Sequence, residues 1–255
     1  VDVALKNNSL YAKFKEGTKK SDVVAYFNRA MSLFNILGIP FDFVSESDIL
    51  TVAEGVERKL LFISSVKAKR RGTGIEPVSV PASEFDPIGF AMFGVWEAIK
   101  KSSFFKKSDF YELLGYSRYY YFHSNFLLTF IHGWLFIESM VNSIWAELVA
   151  KRFPAPPAGR EWSTQIKIDE LYLLGHIDDD LRTQLHRLRK KRNAVFHADP
   201  QEREVEIGGD DSFAAVKTGL ALFYKFIMGF KDDTIIDFSD LAKKMYRAIH
   251  EPSKS

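Results

Sequence analysis

The sequence predicts a mainly α protein, in which a smaller mixed α/β portion with a linker (residues 1–87) precedes a helical domain (residues 88–255). Three observations carry this reading. Beyond Asp86 the apolar residues recur at helical spacing almost without interruption; strand-like runs are confined to the part before Lys67; and the stretch Lys67 to Pro87 joins a basic cluster to repeated Gly and Pro.

Taken in order, Leu10 to Lys15 reads as a strand. Ser21 is the expected N-cap of a helix that carries Val24, Phe27, Met31 and Phe34 along one side and ends at Gly38 and Pro40. Pro40 to Val44 reads as a short strand, Ser47 to Gly55 is ambiguous, and Lys59 to Val66 is the best strand candidate. Helices are then expected over Ile88 to Lys101, Phe105 to Leu114 and, as one long element, about Arg118 to Lys151. The prolines at 154, 156 and 157 lack the helical donor and crowd the preceding turn, so that helix must stop before them. Shorter helices follow near Ile166 to Leu174 and over Asp178 to His197, the latter opening with three aspartates suited to the positive end of the helix dipole. Gly208 to Ser212 marks a turn and N-cap before a helix over Phe213 to Phe230, and Ser239 opens a last helix ending near Ile249.

Composition bounds the function. The chain has 255 residues, 46% hydrophobic and 27% charged, which describes a globular protein with a sizeable core and not a disordered one. A formal net charge of +2 is too small to announce a polyanion partner, so nucleic-acid affinity has to come from local clusters. With no cysteine, disulfides, thiolate metal sites and cysteine nucleophiles are excluded together, which fits a cytoplasmic setting. Val1 to Asn8 lack the basic and apolar regions of a secretory signal. Phe126 to Ala150 is the most apolar segment, but His132, Glu138, Asn142 and Glu147 interrupt it, so a buried helix is expected and no membrane association.

Chemistry concentrates in Arg187-Leu188-Arg189-Lys190-Lys191-Arg192-Asn193-Ala194-Val195-Phe196-His197, at the end of the leucine-spaced helix that starts at Asp178. Arg192, the polar Asn193, three further positions and His197 resemble the Arg-x4-6-His motif of the HEPN superfamily, here with a gap of four. The resemblance covers Leu181 to His197 as a motif and about Phe90 to Phe230 as an architecture. It implies a HEPN-like bundle of four to five helices, a symmetric homodimer with two motifs lining one RNA cleft, and metal-independent RNA cleavage without a cofactor.

That chemistry suits the residue types. RNA carries its own nucleophile in the 2′-hydroxyl, so the protein must supply proton transfer and charge stabilisation at phosphorus. Histidine has an unperturbed pKa of about 6.5 and exchanges protons near neutrality, which makes His197 the general acid/base. Arg192 offers a planar, permanently charged fork for two phosphate oxygens. Asn193, four residues before His197, orients it or binds phosphate. Positions 192 and 197 lie about 140° apart around a regular helix, so convergence needs a wrapping Arg192 side chain, a distorted last turn, or a second copy of the site. Glu138, a carboxylate inside an apolar helix, needs a partner, and pairing with Arg192 would provide one; a salt bridge elsewhere or partial exposure are the alternatives. Asn142 is a further candidate for the same support.

Arg189, Lys190 and Lys191 become sequence-independent phosphate contacts if the motif is functional, and a solvated basic face if it is not. His123, His132, His176, His186 and His250 show no paired metal-ligand spacing, and no metal is expected. Gly72-Thr73-Gly74 lacks the setting of a dinucleotide site. Tyr119 to Phe122 read as core rings ahead of base-stacking ones. The expected function is an RNA endonuclease leaving a 2′,3′-cyclic phosphate, with toxin or antiviral roles implied by the resemblance and the N-terminal portion as a sensing or partner-binding module for a regulatory protein. The alternatives are a catalytically silent dimerisation or partner-binding module and a nucleic-acid-binding regulator that does not cut.

Overall fold

A computed structural model describes residues 2–6, 9–13, 17–38, 41–51, 60–62, 94–105, 110–149, 162–197 and 206–230. The described residues are mainly helical. They form α1 (Lys20–Ile36), α2 (94–101), α3 (Tyr111–Phe122), α4 (Phe126–Leu148), α5 (Thr164–Leu173), α6 (Asp179–His197) and α7 (Gly209–Phe226). Two short antiparallel ladders accompany them. β1 (Asp2–Lys6) pairs with β2 (Ser9–Lys13), and β3 (Ile49–Thr51) pairs with β4 (Leu60–Phe62).

The centre of the bundle is α4, which packs against α3, α5, α6 and α7. Its sequence explains the position, because Phe130, Trp134, Phe136, Ile137, Met140, Val141 and Ile144 cover more than one face of the helix and all are buried. The helix is long and apolar enough to cross a membrane by those two criteria alone, but here other helices cover it. α7 supplies Ala215, Leu222 and Phe223 to the same core, and α6 supplies Leu181, Leu185 and Leu188. On the far side of α3 lies α1, whose Leu33, Ile36 and Leu37 join this core although they precede residue 87 in sequence.

Close approach of the helices depends on missing side chains. A Cβ on Gly115 of α3 would stand 2.6 Å from the Ser32 Cα of α1, and one on Gly133 of α4 would stand 2.9 Å from Ser117 Oγ and 3.1 Å from Ala215 Cβ. Only glycine admits those crossings without displacement.

Several boundaries differ from the sequence expectation. The long helix expected from Arg118 to Lys151 is two helices. Ser124 takes a left-handed φ of 55°, Ser124 N donates to Tyr121 O and Asn125 N to Tyr120 O, and this pair of bonds closes α3 in a Schellman motif. Asn125 then caps α4, its side chain accepting from Leu128 N at 3.2 Å. The expected strand Pro40 to Val44 is not one over the described residues 41–44, because side-chain amides of α1 take its backbone groups. Asn28 bonds both the N–H and the carbonyl of Val44, at 2.8 and 3.0 Å, and Asn35 does the same for Phe41 at 3.0 Å each. With its N–H and carbonyl both bonded to one side-chain amide, neither residue has the pair of groups that a ladder needs free.

Capping also shifts. Lys19, not Ser21, precedes α1, with no side-chain cap bond. Ser212 lies inside α7, its hydroxyl within hydrogen-bond distance of both Phe126 O and Gly208 O, and the helix starts four residues before the expected Phe213. At α6 the acidic start has a specific role, since Asp178 Oδ1 accepts from Leu181 N at 2.8 Å. The expected last helix, Ser239 to Ile249, and the linker Lys67 to Pro87 lie outside the described residues.

Candidate active site

The residues with chemical potential sit along α6. Its inward stripe runs Leu181, Leu185, Leu188 and then, at the same helical spacing, Arg192 and Val195. Arg192 therefore occupies a core-facing position in the last turns, where a leucine would otherwise be expected, and it faces α4.

There Arg192 meets Glu138. Arg192 Nη2 lies 3.9 Å from Glu138 Oε2, while the other carboxylate oxygen accepts from Thr164 Oγ1 at 3.0 Å. Side-chain exposures of 31% and 26% leave this pair partly screened by solvent, and its length makes it an ion pair at the limit of contact and not a hydrogen bond. Arg192 Nη1 also donates to Asn193 Oδ1 at 3.2 Å, and the guanidinium stands 5.4 Å from the centroid of the Phe196 ring. Arg192 Nε is buried and has no hydrogen-bond partner among the described residues. The structure thus brings Arg192, Asn193 and Glu138 together, with the guanidinium leaning toward the C-terminal end of α6.

α6 remains an α-helix through His197, its last residue. The His197 side chain lies outside the described residues. Because the helix stays regular, positions 192 and 197 are separated by about 140° around its axis.

Asn142 takes another partner. Its Oδ1 accepts from Lys167 Nζ at 2.8 Å, and Lys167 also lies over the Trp145 ring. Trp145 Nε1 in turn donates to Glu170. Glu138, Asn142 and Trp145 of α4 consequently meet Thr164, Lys167 and Glu170 of α5 in one polar seam, which accounts for two of the four polar interruptions of the most apolar segment, Glu138 and Asn142.

The basic residues divide. Lys191 Nζ pairs with Asp211 Oδ2 at 2.9 Å, and Arg187 reaches the other oxygen of that carboxylate at 3.5 Å. Arg189 is half-buried, and its buried Nε has no partner among the described residues. Lys190 is exposed. Tyr119, Tyr120 and Tyr121 are half-buried and spend their rings on Phe43, His132 and Phe213 respectively.

A second cluster on α6 had no counterpart in the sequence reading. Arg182 and His186 both donate to Asp169 Oδ1 of α5, at 2.8 and 3.0 Å, and Arg182 lies over the Tyr172 ring. Burial pushes the Asp169 carboxyl up, but hydrogen bonds from His186 and Arg182 and their charge outweigh it and hold the group below the usual carboxylate range. Arg182, His186 and Lys190 at successive four-residue steps are the signal that would have found it. These residues line a cleft of about 590 Å³ beside α7, completed by Thr183, Arg187, Lys191 and Asp211.

Comparison with protein-family models, with curated proteins and with solved structures finds no match for the chain.

Proposed function

We propose that the protein is a metal-independent RNA endonuclease of the HEPN type, cutting by attack of the 2′-hydroxyl on the adjacent phosphodiester. The observation that carries this reading is the Arg192-Asn193-x3-His197 spacing at the end of a leucine-striped helix, with Arg192 set at a core-facing position against Glu138. Arg192 keeps one long ion pair, one weak bond to its neighbour and an unpartnered Nε among the described residues, so its charge stays available to a phosphate.

In this reading Arg192 stabilises the negative charge that develops on the equatorial phosphate oxygens, and Asn193 offers its amide nitrogen to the same group. His197 takes the proton from the 2′-oxygen or returns one to the 5′-oxygen that leaves; the P–O bond to the new 2′,3′-cyclic phosphate forms as the P–O5′ bond breaks. Glu138 positions Arg192. With α6 regular to its end, one copy separates the two charges around the helix, so a symmetric homodimer that faces two motifs across one cleft is the working unit. Phe196, 52% exposed beside Arg192, supplies apolar surface for that contact. A HEPN-like bundle with residues 1–87 as a mixed α/β regulatory module, a cytoplasmic toxin or antiviral role and a regulatory protein partner complete the proposal.

The test is incubation of purified protein with labelled single-stranded and transfer RNA in EDTA, beside folded Arg192→Ala and His197→Ala variants. Cleavage by the parent alone, with cyclic-phosphate ends, is expected. No cleavage, or equal cleavage by all three, would overturn the reading in favour of a silent dimerisation module.

A further inference from the structure

We infer that the cleft between α6 and α7 is a binding site for the phosphate backbone of a single RNA strand, leading that strand along α6 to the motif. The inference rests on RNA as the substrate, as proposed above.

The lining selects the ligand class. Arg182, Arg187, Lys190 and Lys191 face one carboxylate, Asp211, and the remaining groups, Thr183 and His186, add a hydroxyl and an imidazole. Among the described residues, no aromatic or aliphatic side chain lines the cleft. Such a surface is dominated by donors for phosphate oxygens, contacts that position a strand without reading its sequence.

The cations are also held in place before any ligand arrives. Arg182 is fixed by Asp169 and by the Tyr172 ring, while Lys191 and Arg187 converge on Asp211. Preorganised groups lose less freedom on binding. A face of ion pairs without function would look similar in part, since three of the four cations have acidic partners. Those pairs are partly exposed, so each holds its cation while leaving other N–H donors of the same group open to a phosphate oxygen. Lys190 has no acidic partner among the described residues and points the balance toward an anion.

Continuity with the motif gives the direction. Residues 182, 186, 190, 193 and 197 follow one another by steps of four, four, three and four, which keeps these positions on one side of the helix. From residue 186 to residue 193 the axial rise is about 10 Å, so a strand lying in the cleft reaches the motif within a few nucleotides.

Phosphates in this cleft could belong to a strand or to a free polyphosphate, and one experiment separates them. A 2′-O-methyl single-stranded RNA lacks the nucleophile and reports binding whether or not the protein cuts. Its affinity is measured against salt for the parent protein, for Lys190→Glu and Thr183→Glu in the cleft, and for Lys20→Glu on α1 as a control with the same charge change as Lys190→Glu, with tripolyphosphate as competitor. Both cleft variants should weaken binding at least fivefold, with Lys190→Glu lowering the salt slope by about one, while Lys20→Glu changes affinity less than twofold. Tripolyphosphate should compete only at a concentration at least a hundredfold above that of the RNA. Cleft variants that behave like Lys20→Glu would overturn the inference, as would tripolyphosphate binding as tightly as the strand. Because this RNA cannot be cut, a negative result here leaves the nuclease assay untouched, and failure of that assay leaves this one readable.

Discussion

A single exchange at Glu138 separates a structural role from a positioning one. Gln in its place keeps an oxygen for the Thr164 hydroxyl and loses only the charge that faces Arg192 across 3.9 Å. Since partly exposed ion pairs contribute roughly 0–1 kcal/mol, Glu138→Gln should lower stability by under about 1 kcal/mol in a urea titration. If Glu138 aims Arg192 at phosphate, RNA cleavage should fall at least tenfold in the same variant; unchanged cleavage would reduce the residue to a packing element. That such a pair exists could be anticipated, because a carboxylate in an apolar helix needs a cation. Asn142 was equally visible in the sequence, but its partner, Lys167, depends on how α5 lies against α4, which no local pattern specifies. Tyr224 makes a further residue-scale prediction. Burial pushes its phenol up to about 12 while Arg118 pulls the other way. Below pH 10 both folded and unfolded chains keep this proton, so its contribution is intact; between about 10 and 12 only the unfolded chain releases it, and stability falls. A shift of about two units corresponds to roughly 3 kcal/mol, lost as pH rises through 12. The stability difference between parent and Tyr224→Phe, followed by denaturant titration from pH 8 to 12, should change by about that amount; a constant difference would show that the phenol does not ionise differently in the two states.

At the scale of elements, the break between α3 and α4 shows what periodicity alone misses. The apolar pattern from Tyr119 to Leu148 has no Pro, and its one glycine, Gly133, lies within α4 and not at the break, so it reads as one helix. The local signal is Ser124-Asn125, a residue pair that favours caps over helix interiors and that apolar spacing does not register. A non-glycine residue in the left-handed region costs about 1 kcal/mol or more, and the Ser124 side chain is exposed. Ser124→Gly should therefore raise stability by about 1 kcal/mol, read as a higher urea midpoint at unchanged slope. A loss of stability would mean that the turn is held by something other than its backbone geometry. The strand expected at Pro40 to Val44 failed for a complementary reason. Its composition suits a ladder, but Asn28 and Asn35 occupy the backbone groups a ladder needs, and nothing in residues 40–44 themselves reveals that.

For the molecule as a whole, the mainly α character was legible because it depends on composition and spacing, which each helix carries in its own residues. The arrangement was not, because helix crossings depend on where small residues meet. Gly115 and Gly219 make the point as a pair. Alanine favours a helix over glycine by about 1 kcal/mol, so in the absence of packing both substitutions would stabilise. At Gly219 the added carbon meets the end of the Leu114 side chain at 3.0 Å and Phe136 at 3.3 Å, and the leucine terminus can turn aside. At Gly115 it meets the Ser32 backbone at 2.6 Å, so α1 itself must move away from α3. Overpacking of that kind costs about 1–3 kcal/mol. Gly219→Ala should then leave stability within about 1 kcal/mol of the parent, whereas Gly115→Ala should lower it. The loss should also be local. Among the described helices α1 packs mainly on α3, so hydrogen exchange in Gly115→Ala should rise across residues 20–36 before it rises across α4. Equal loss of protection in both helices would instead make α1 an inseparable part of the bundle, joined to it through Leu33, Ile36 and Leu37.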